Sequence, residues 1–430
     1  MSDVEENQSH ISAEGLSSQI MSRSFFATLI GLTFVMNTIG RGVTETFAVF
    51  LLPVEQAFDV TRSEISATYS IYMLVHGLAA PFAGQLIDRL GARITYATGL
   101  VLLGAGYVGA GMSDALWQYY LTVGGLGGLG AACLGMVVAS SLLVRWFTRR
   151  LGTLMALPYA AVGAGMLIIP PLSQILLTHY SWRVSHQILG GSVLAFLPLV
   201  MVLPLRRITF GSIEWQALKL QAGNSGKPIW TAMRAMRTGG FWALFGVYFF
   251  VSVAAYSVLP QSVVYLVERG FDPLVAASAF GVTGALSVFG VIATGWLSDR
   301  LGRLTAFAIT VAFTITGTLS LLSVAWFPSL TLVYAFVFFF GIMQGARGPI
   351  IAVMVSVLFR GGSVGTIFGA LSMALGFGAG FGSLISGMLR DVTGDYIASF
   401  MLSALCSAIG LGIYCIAPSL RLERQAALPE

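Results

Sequence analysis

Twelve apolar stretches recur along this chain, each close to the ~20 residues a helix needs to cross a bilayer. They fall near residues 25–51, 66–87, 94–112, 117–144, 152–178 and 186–204, then near 240–266, 274–297, 304–326, 329–358, 363–389 and 396–417. Hydrophobic residues make up 56% of the chain and charged ones 10%, where an ordinary soluble domain carries roughly 25% charged residues. There is too little polar surface to cover such a core, so the outer face must meet lipid. The 51 glycines fit helices that approach one another closely in a bilayer. The expected fold is an all-α membrane protein with twelve transmembrane helices in two six-helix bundles.

The only long polar break between stretches, 205–239, divides the chain. The expected organisation is a tail over 1–24, a bundle over 25–204, the linker 205–239, a second bundle over 240–417 and a tail over 418–430. Basic residues orient it, because cytoplasmic loops hold the excess of Lys and Arg. With the N-terminus inside, 17 of the 23 Lys and Arg fall on the cytoplasmic side. Four (Arg62, Arg183, Arg269 and Arg390) fall outside, and Arg41 and Arg347 lie within spans. Both termini are therefore expected in the cytoplasm, and the chain in the cell membrane. The first 24 residues lack the layout of a signal peptide, so the first helix is expected to insert uncleaved. The net charge of +5 sits in membrane-flanking loops and does not point to nucleic acid. Cys133, Cys406 and Cys415 lie in apolar runs without CxxC spacing and read as packing residues.

Two loops repeat the same chemistry. Gly84-Gln-Leu-Ile-Asp88-Arg89-Leu-Gly91-Ala-Arg93 follows the second span, and Gly295-Trp-Leu-Ser-Asp299-Arg300-Leu-Gly302-Arg303 follows the eighth. The chain thus reads as a duplication, six helices plus six, a common plan for secondary transporters with a midplane site between the halves. These segments resemble the G-x-x-x-D-R/K-x-G-R/K loop motif of the major facilitator superfamily. The resemblance covers 25–417 and implies that fold. It further implies that Asp88, Asp299 and the arginines form a cytoplasmic latch for the outward-open state. The plainer alternative is that the arginines only set topology.

A finer resemblance begins at Trp146-Phe147-Thr148-Arg149-Arg150, which opens a Gly/Ala-rich span holding Gly163 and Gly165, then Pro170-Pro171-Leu172 and Trp182-Arg183. This is similar to the monocarboxylate and oxalate/formate porter branch, of bacterial type. The turn Asp391-Val-Thr-Gly394-Asp-Tyr396, and Val49-Phe50 with Pro53, fit it too. The chain departs from the eukaryotic pattern of a lysine in helix one and an Asp/Arg pair in helix eight. Glu45, Ser287 and Val291 stand at those places.

An ionised side chain near the bilayer centre is costly and should face protein or a wet cavity. Asn37, Arg41 and Glu45 recur every four residues on span one and form a polar stripe on one helix face. Arg41 is a candidate for an anionic substrate, with Glu45 tuning it or exchanging a proton. Alternatively, the two neutralise each other and brace the helix. Arg347, in Gln344-Gly-Ala-Arg347-Gly-Pro349, is a second candidate cation on span ten. The superfamily resemblance implies that spans 1, 4, 7 and 10 line the cavity, which would bring Arg41 and Arg347 to it from opposite halves. Arginine pairs with a carboxylate through two parallel hydrogen bonds. Gln344 lies beside this second cation. His76, near Tyr69 and Tyr72 on span two, is a proton-coupling candidate along with Glu45; packing is its alternative. Tyr248, Ser252 and Tyr256 repeat every four residues on span seven, with Gln261 beyond, as substrate contacts or as packing.

The leading functional expectation is secondary active or facilitative carriage of a small organic anion, monocarboxylate-like, by alternating access. The alternative is proton-coupled export of a neutral or drug-like compound. The glycine-rich proline motif of such exporters is absent from span five. A receptor would need a soluble domain that tails of 24 and 13 residues do not supply. No metal cluster, nucleophile–base grouping or Walker motif lies in the spans. Neither an enzyme, a cofactor, a metal nor direct use of ATP is expected. The partners are a small molecule and the lipid bilayer, and the protein is expected to be a monomer.

Overall fold

The computed structural model describes residues 23–146, 151–203, 205–211, 232–345, 348, 351, 354–355, 358–359, 364–417 and 420. Residues 1–22, most of the 205–239 linker, Arg347, and 421–430 lie outside the described residues. The same holds for the side chain of Asp299. The described regular structure is helical: α1 (Arg23–Glu45), α2 (Phe47–Phe58), α3 (Arg62–Ala110), α4 (Met136–Trp146), α5 (Leu151–His179) and α6 (Trp182–Leu194) in the first half. The second half holds α7 (Gly239–Tyr256), α8 (Leu259–Glu268), α9 (Pro273–Leu301), α10 (Arg303–Ser323), α11 (Leu330–Gln344), α12 (Val364–Thr393) and α13 (Ile397–Ile416). Residues 116–134, with a π-helical stretch at Tyr120–Gly127, complete the fourth crossing ahead of α4.

Ten described helical stretches are long and apolar enough to span a bilayer. One of them is α3, with 49 residues. At 1.5 Å per residue it would measure about 73 Å, far beyond the ~30 Å hydrocarbon core. It is two crossings joined at Gly91, whose φ of 83° and ψ of 173° break the helix. Together with the shorter apolar α11 the spans number twelve. The separate second and third spans expected at 66–87 and 94–112 thus meet in a single glycine turn. The start moves back to Arg62 because Thr61 and Glu64 form a reciprocal capping box.

The duplication has a fixed register. Gly91 lies 29 residues after the start of α3, and Gly302 lies 29 after the start of α9. Both glycines adopt positive φ, 83° and 82°, with extended ψ, a region open essentially to glycine alone. Position n of the first half therefore corresponds to n+211 in the second through this part of the fold. The same offset relates the interruptions of the first and seventh spans, at Thr46 and Ser257. We expect Gly302→Ala, whose new Cβ would meet nothing within 4 Å, to cost about 1–3 kcal/mol from backbone strain. Gly91→Ala should cost more, because its Cβ would lie 3.2 Å from the Thr209 side chain. Thermal unfolding of the two purified variants checks the order.

Two helix pairs hold the halves together. α3 packs on α12, and α5 on α9. Small residues permit the approach: a Cβ on Gly77 would sit 3.2 Å from the Gly376 backbone. Lipid replaces the hydrophobic drive available in water, so close packing and interhelical hydrogen bonds must supply the adhesion. Ser70 Oγ donates to the Gly380 carbonyl of α12 at 2.7 Å, and Gln261 Nε2 of α8 donates to Ser66 Oγ at 2.8 Å, both between the halves.

Candidate functional site

Between the halves lies a cavity of about 250 Å³. It reaches from Tyr72 to Ala80 along α3 and meets Gly40 and Arg41 of α1, Tyr248 to Leu259 of the seventh span, and Phe368 of α12. Two broken helices frame it. In the first span the Val43 carbonyl is taken by Thr46 Oγ at 2.6 Å and Tyr107 Oη at 2.7 Å. Side-chain donors thus compete for an acceptor that would continue the helix, and α1 ends at Glu45. In the seventh span Pro260 has no N–H to give the Tyr256 carbonyl four residues back, and α7 ends at Tyr256.

Glu45 and Tyr256 are register equivalents, as are Arg41 and Ser252, and Asn37 and Tyr248. The two polar stripes are one pattern repeated in each half. The break residues meet at Arg41. Its Nη2 lies 2.6 Å from Glu45 Oε1 and donates to Tyr256 Oη at 2.5 Å. One guanidinium thereby joins its own counter-ion to the opposite half. Tyr69 Oη reaches both Glu45 oxygens at 3.4 and 3.5 Å, and Tyr72 shares a 2.5 Å hydrogen bond with Thr44. Glu45 is only 2% exposed, whereas the Arg41 side chain is 19% exposed and lines the cavity. Mutual bracing of Arg41 and Glu45 is present, and so is an open face of the guanidinium.

The other candidates divide. Asn37, His76, Tyr248, Ser252, Tyr256 and Gln344 all line the cavity. Asn37 Nδ2 donates to the Thr33 carbonyl at 3.0 Å, and Ser252 Oγ to Tyr248 O at 2.6 Å. His76 stacks on Tyr72, with centroids 6.0 Å apart and planes 15° from parallel. Ser287, its register equivalent, lines the same cavity. Arg347 lies outside the described residues.

The loop-motif residues lie away from the cavity, at what we term the Asp88 end. Asp88 pairs with Arg145 of α4 rather than with the loop arginines. Arg145 also donates to the Thr209 carbonyl at 2.8 Å, and Arg93 to the Leu203 carbonyl at 2.8 Å. These bonds run within the first half. Gly84 faces Val137 of α4, and Arg89 is exposed. Arg300 lies over the Trp296 ring at 4.7 Å. Gly302 and Arg303 form the matching turn between α9 and α10, with Gly295 about two helical turns earlier in α9.

The opposite end holds a cluster that the sequence reading had only as outside charges and a turn. Arg62 is 5% exposed; its Nη2 lies 2.8 Å from Glu55 and 2.9 Å from Glu268, and its Nη1 donates to Tyr396 Oη at 2.6 Å. Asp391 accepts from the Arg62 and Ser63 backbone N–H groups at 2.9 and 2.8 Å. A carboxylate from the second half thereby caps the N-terminus of α3, where the helix dipole favours negative charge. Arg390 lies 3.6 Å from Glu268. The Arg62 end is thus closed by ion pairs and hydrogen bonds across both halves.

The sequence compares with known proteins in the same sense. Residues 29–383 match the family model described as Major Facilitator Superfamily. "Monocarboxylate transporter 13" of Bos taurus is 29% identical over 341 residues, 79% of this chain and 77% of the relative. An uncharacterized MFS-type transporter, YcxA of Bacillus subtilis (strain 168), is 25% identical over 353 residues, 78% of this chain and 81% of that one. Among solved structures, a D-xylose-proton symporter superposes with a TM-score of 0.69 at 14% identity, covering 93% of this chain and 99% of that one. At that identity the likeness concerns fold alone. With twelve spans, two register-matched halves, a cavity between them and a family match over most of its length, the chain belongs to the major facilitator superfamily of membrane transporters.

Proposed function

We propose that the protein carries a small organic anion of monocarboxylate type across the cell membrane by alternating access. Arg41 carries this reading: a guanidinium on the wall of an otherwise largely apolar cavity, bonded to both halves at their helix breaks. An entering carboxylate competes with Glu45 and Tyr256 for the same N–H groups, so binding and the contact between the halves are linked. The names of the relatives support the substrate class. Arg347 joins the proposal on its sequence position alone.

The excess of arginine puts the Asp88 end in the cytoplasm. The closed Arg62 cluster then faces outside, and the cavity serves the cytoplasmic side. Asp88, Arg89, Arg93, Asp299, Arg300 and Arg303 are the proposed counterpart latch. Glu45 and His76 are the proposed proton-coupling groups, making symport the favoured mode. Thermal-shift screening of the purified protein tests the anion reading, because a ligand that binds only the folded state raises its stability. Monocarboxylates at about 100 times their Kd should add about 2.7 kcal/mol. Stabilisation by neutral or cationic drug-like compounds, with none from carboxylates, contradicts the proposal and favours an exporter.

A further inference from the structure

The two halves contribute unequally to the cavity. Arg41 and His76 of the first half line it, and so do their register equivalents, Ser252 and Ser287. Both serines are turned back to their own helices, Ser252 donating to the Tyr248 carbonyl and Ser287 to the Gly284 carbonyl, each at 2.6 Å. The titratable side chains that share the wall with His76 are Arg41 from α1, Tyr72 from α3, and Tyr248 and Tyr256 from the seventh span. The fourth span, α9, α11 and α12 present none among the described residues.

The two histidines inside the bundle differ. His186 is a packing residue, 1% exposed, with Nδ1 2.9 Å from the Trp182 carbonyl and Nε2 3.1 Å from Tyr119 Oη. His76 is partly exposed to the cavity. Among the described residues neither of its ring nitrogens has a hydrogen-bond partner, and neither is sealed from the open space. Stacking on Tyr72, whose hydroxyl is fixed to Thr44, holds the ring. Its Nε2 faces the break of the fourth span at Gly135, where an added Cβ would lie 3.7 Å away.

The Thr44–Tyr72 bond also sets the depth of the pair. Phe25, at the start of α1, packs on Trp146 beside the Arg145 that holds Asp88, whereas Glu55 pairs with Arg62. The first span thus runs from the Asp88 end to the Arg62 end, and α3 sets out in the reverse direction. From Thr44 to Arg41 and from Tyr72 to His76 the chain moves toward the Asp88 end, by about 4.5 and 6 Å. The guanidinium and the imidazole therefore stand near one depth on neighbouring helices. Glu45 lies one turn the other way from Arg41, is 2% exposed and does not reach the wall.

In the empty cavity Arg41 and Glu45 neutralise each other, and the nearby guanidinium disfavours a second cation. An arriving carboxylate leaves one negative charge in excess. A protonated His76 ring can cancel it from the same wall.

We propose, on the condition that the anion reading above holds, that the first half alone holds the carboxylate, between Arg41 and His76, and that His76 rather than Glu45 carries the proton. A proton from the open aqueous side forms the second ring N–H as the anion seats, and it returns to water when the anion leaves on the other side. Glu45 stays an ionised counter-ion throughout.

Titration calorimetry on the full chain in detergent tests this with lactate, which stays ionised between about pH 6 and 8. One proton bound per anion makes Kd rise by about tenfold per pH unit at its steepest. His76→Gln should remove that slope and weaken binding at the acid end by about tenfold; His76→Asn serves if the glutamine impairs folding. In nitrogen NMR of isotope-labelled histidines, the signals lost in the His76 variant should move from neutral ring to imidazolium on saturation with lactate, while those of His186 hold. A slope that persists without His76 puts the proton on another group and overturns the proposal, as does a His76 ring that stays neutral with lactate bound. Lactate binding with no pH dependence overturns it too and leaves the anion reading standing. Binding of no monocarboxylate, or binding indifferent to Arg41→Gln/Glu45→Gln, defeats the anion reading itself.

Discussion

Arg41→Gln should abolish carboxylate uptake and also destabilise the protein, and the two effects can be separated. The single change leaves Glu45, 2% exposed, without its counter-ion and with the long contacts from Tyr69. Breaking a buried pair by removing one partner costs about 3–5 kcal/mol. The 19% exposure of Arg41 places the expected loss toward the lower figure. Arg41→Gln/Glu45→Gln removes both charges and should recover most of that stability, because neutral amides can bond to each other and to Tyr256. Uptake should stay at least a hundredfold below the unaltered protein, since no guanidinium remains for the carboxylate. Arg41→Lys should fold, yet bind weakly, because a single ammonium cannot give the paired geometry. Unfolding curves and liposome uptake on the three variants decide the matter.

The second large effect concerns the opposite end. Arg62→Ala leaves Glu55, Glu268 and Asp391 near one another without the guanidinium between them, and Arg390 stays 3.6 Å from Glu268. That loss of about 3–5 kcal/mol falls on the state closed at the Arg62 end and spares a state open there. Such a difference moves the ratio of the two states by roughly a hundredfold to several thousandfold, enough to make a minor open state dominant. Ser66→Cys supplies the readout. Ser66 is fully buried under the seam, bonded by Gln261, so a bulky maleimide reaches it only when that end opens. Labelling should run at least tenfold faster with Arg62→Ala, and more modestly faster with Asp391→Asn, which weakens the cap on α3 but keeps its shape. Unchanged labelling in both would mean that the cluster is structural ballast and not a latch.

The spans and the duplication were legible because they rest on composition and on two nearly identical loops, Gly84–Arg93 and Gly295–Arg303. The repeated motif also marked where the second and third spans connect, although not that Gly91 alone would join the two crossings. The helix break at Thr46 was hidden. Part of its cause is Tyr107, 64 residues from Val43, which joins Thr46 on the Val43 carbonyl, and no local pattern carries that partner. The polar stripes at Asn37, Arg41 and Glu45 and at Tyr248, Ser252 and Tyr256 were both visible, but as separate features. Aligning the halves at Gly91 and Gly302 makes them one motif at a common offset, which foretells that Glu45 and Tyr256 share a depth. Arg62 was counted only as an outside charge, because a residue at a span end looks the same whether it sets topology or closes a seam. Only the packing of α3 against α12 brings Asp391 and Tyr396 to it. That turn, Asp391 to Tyr396, was noticed as a family resemblance, and its physical use is the cap on α3.

Counterflow tests the central claim most directly, because it needs binding and alternation but no coupling gradient. Liposomes carrying the protein are loaded with an unlabelled monocarboxylate and diluted into a trace of the labelled compound. Transient accumulation of label inside is the expected result, abolished in Arg41→Gln/Glu45→Gln despite normal folding and insertion. Accumulation that survives in that folded double variant would contradict the account, for it would place the anion somewhere other than at Arg41.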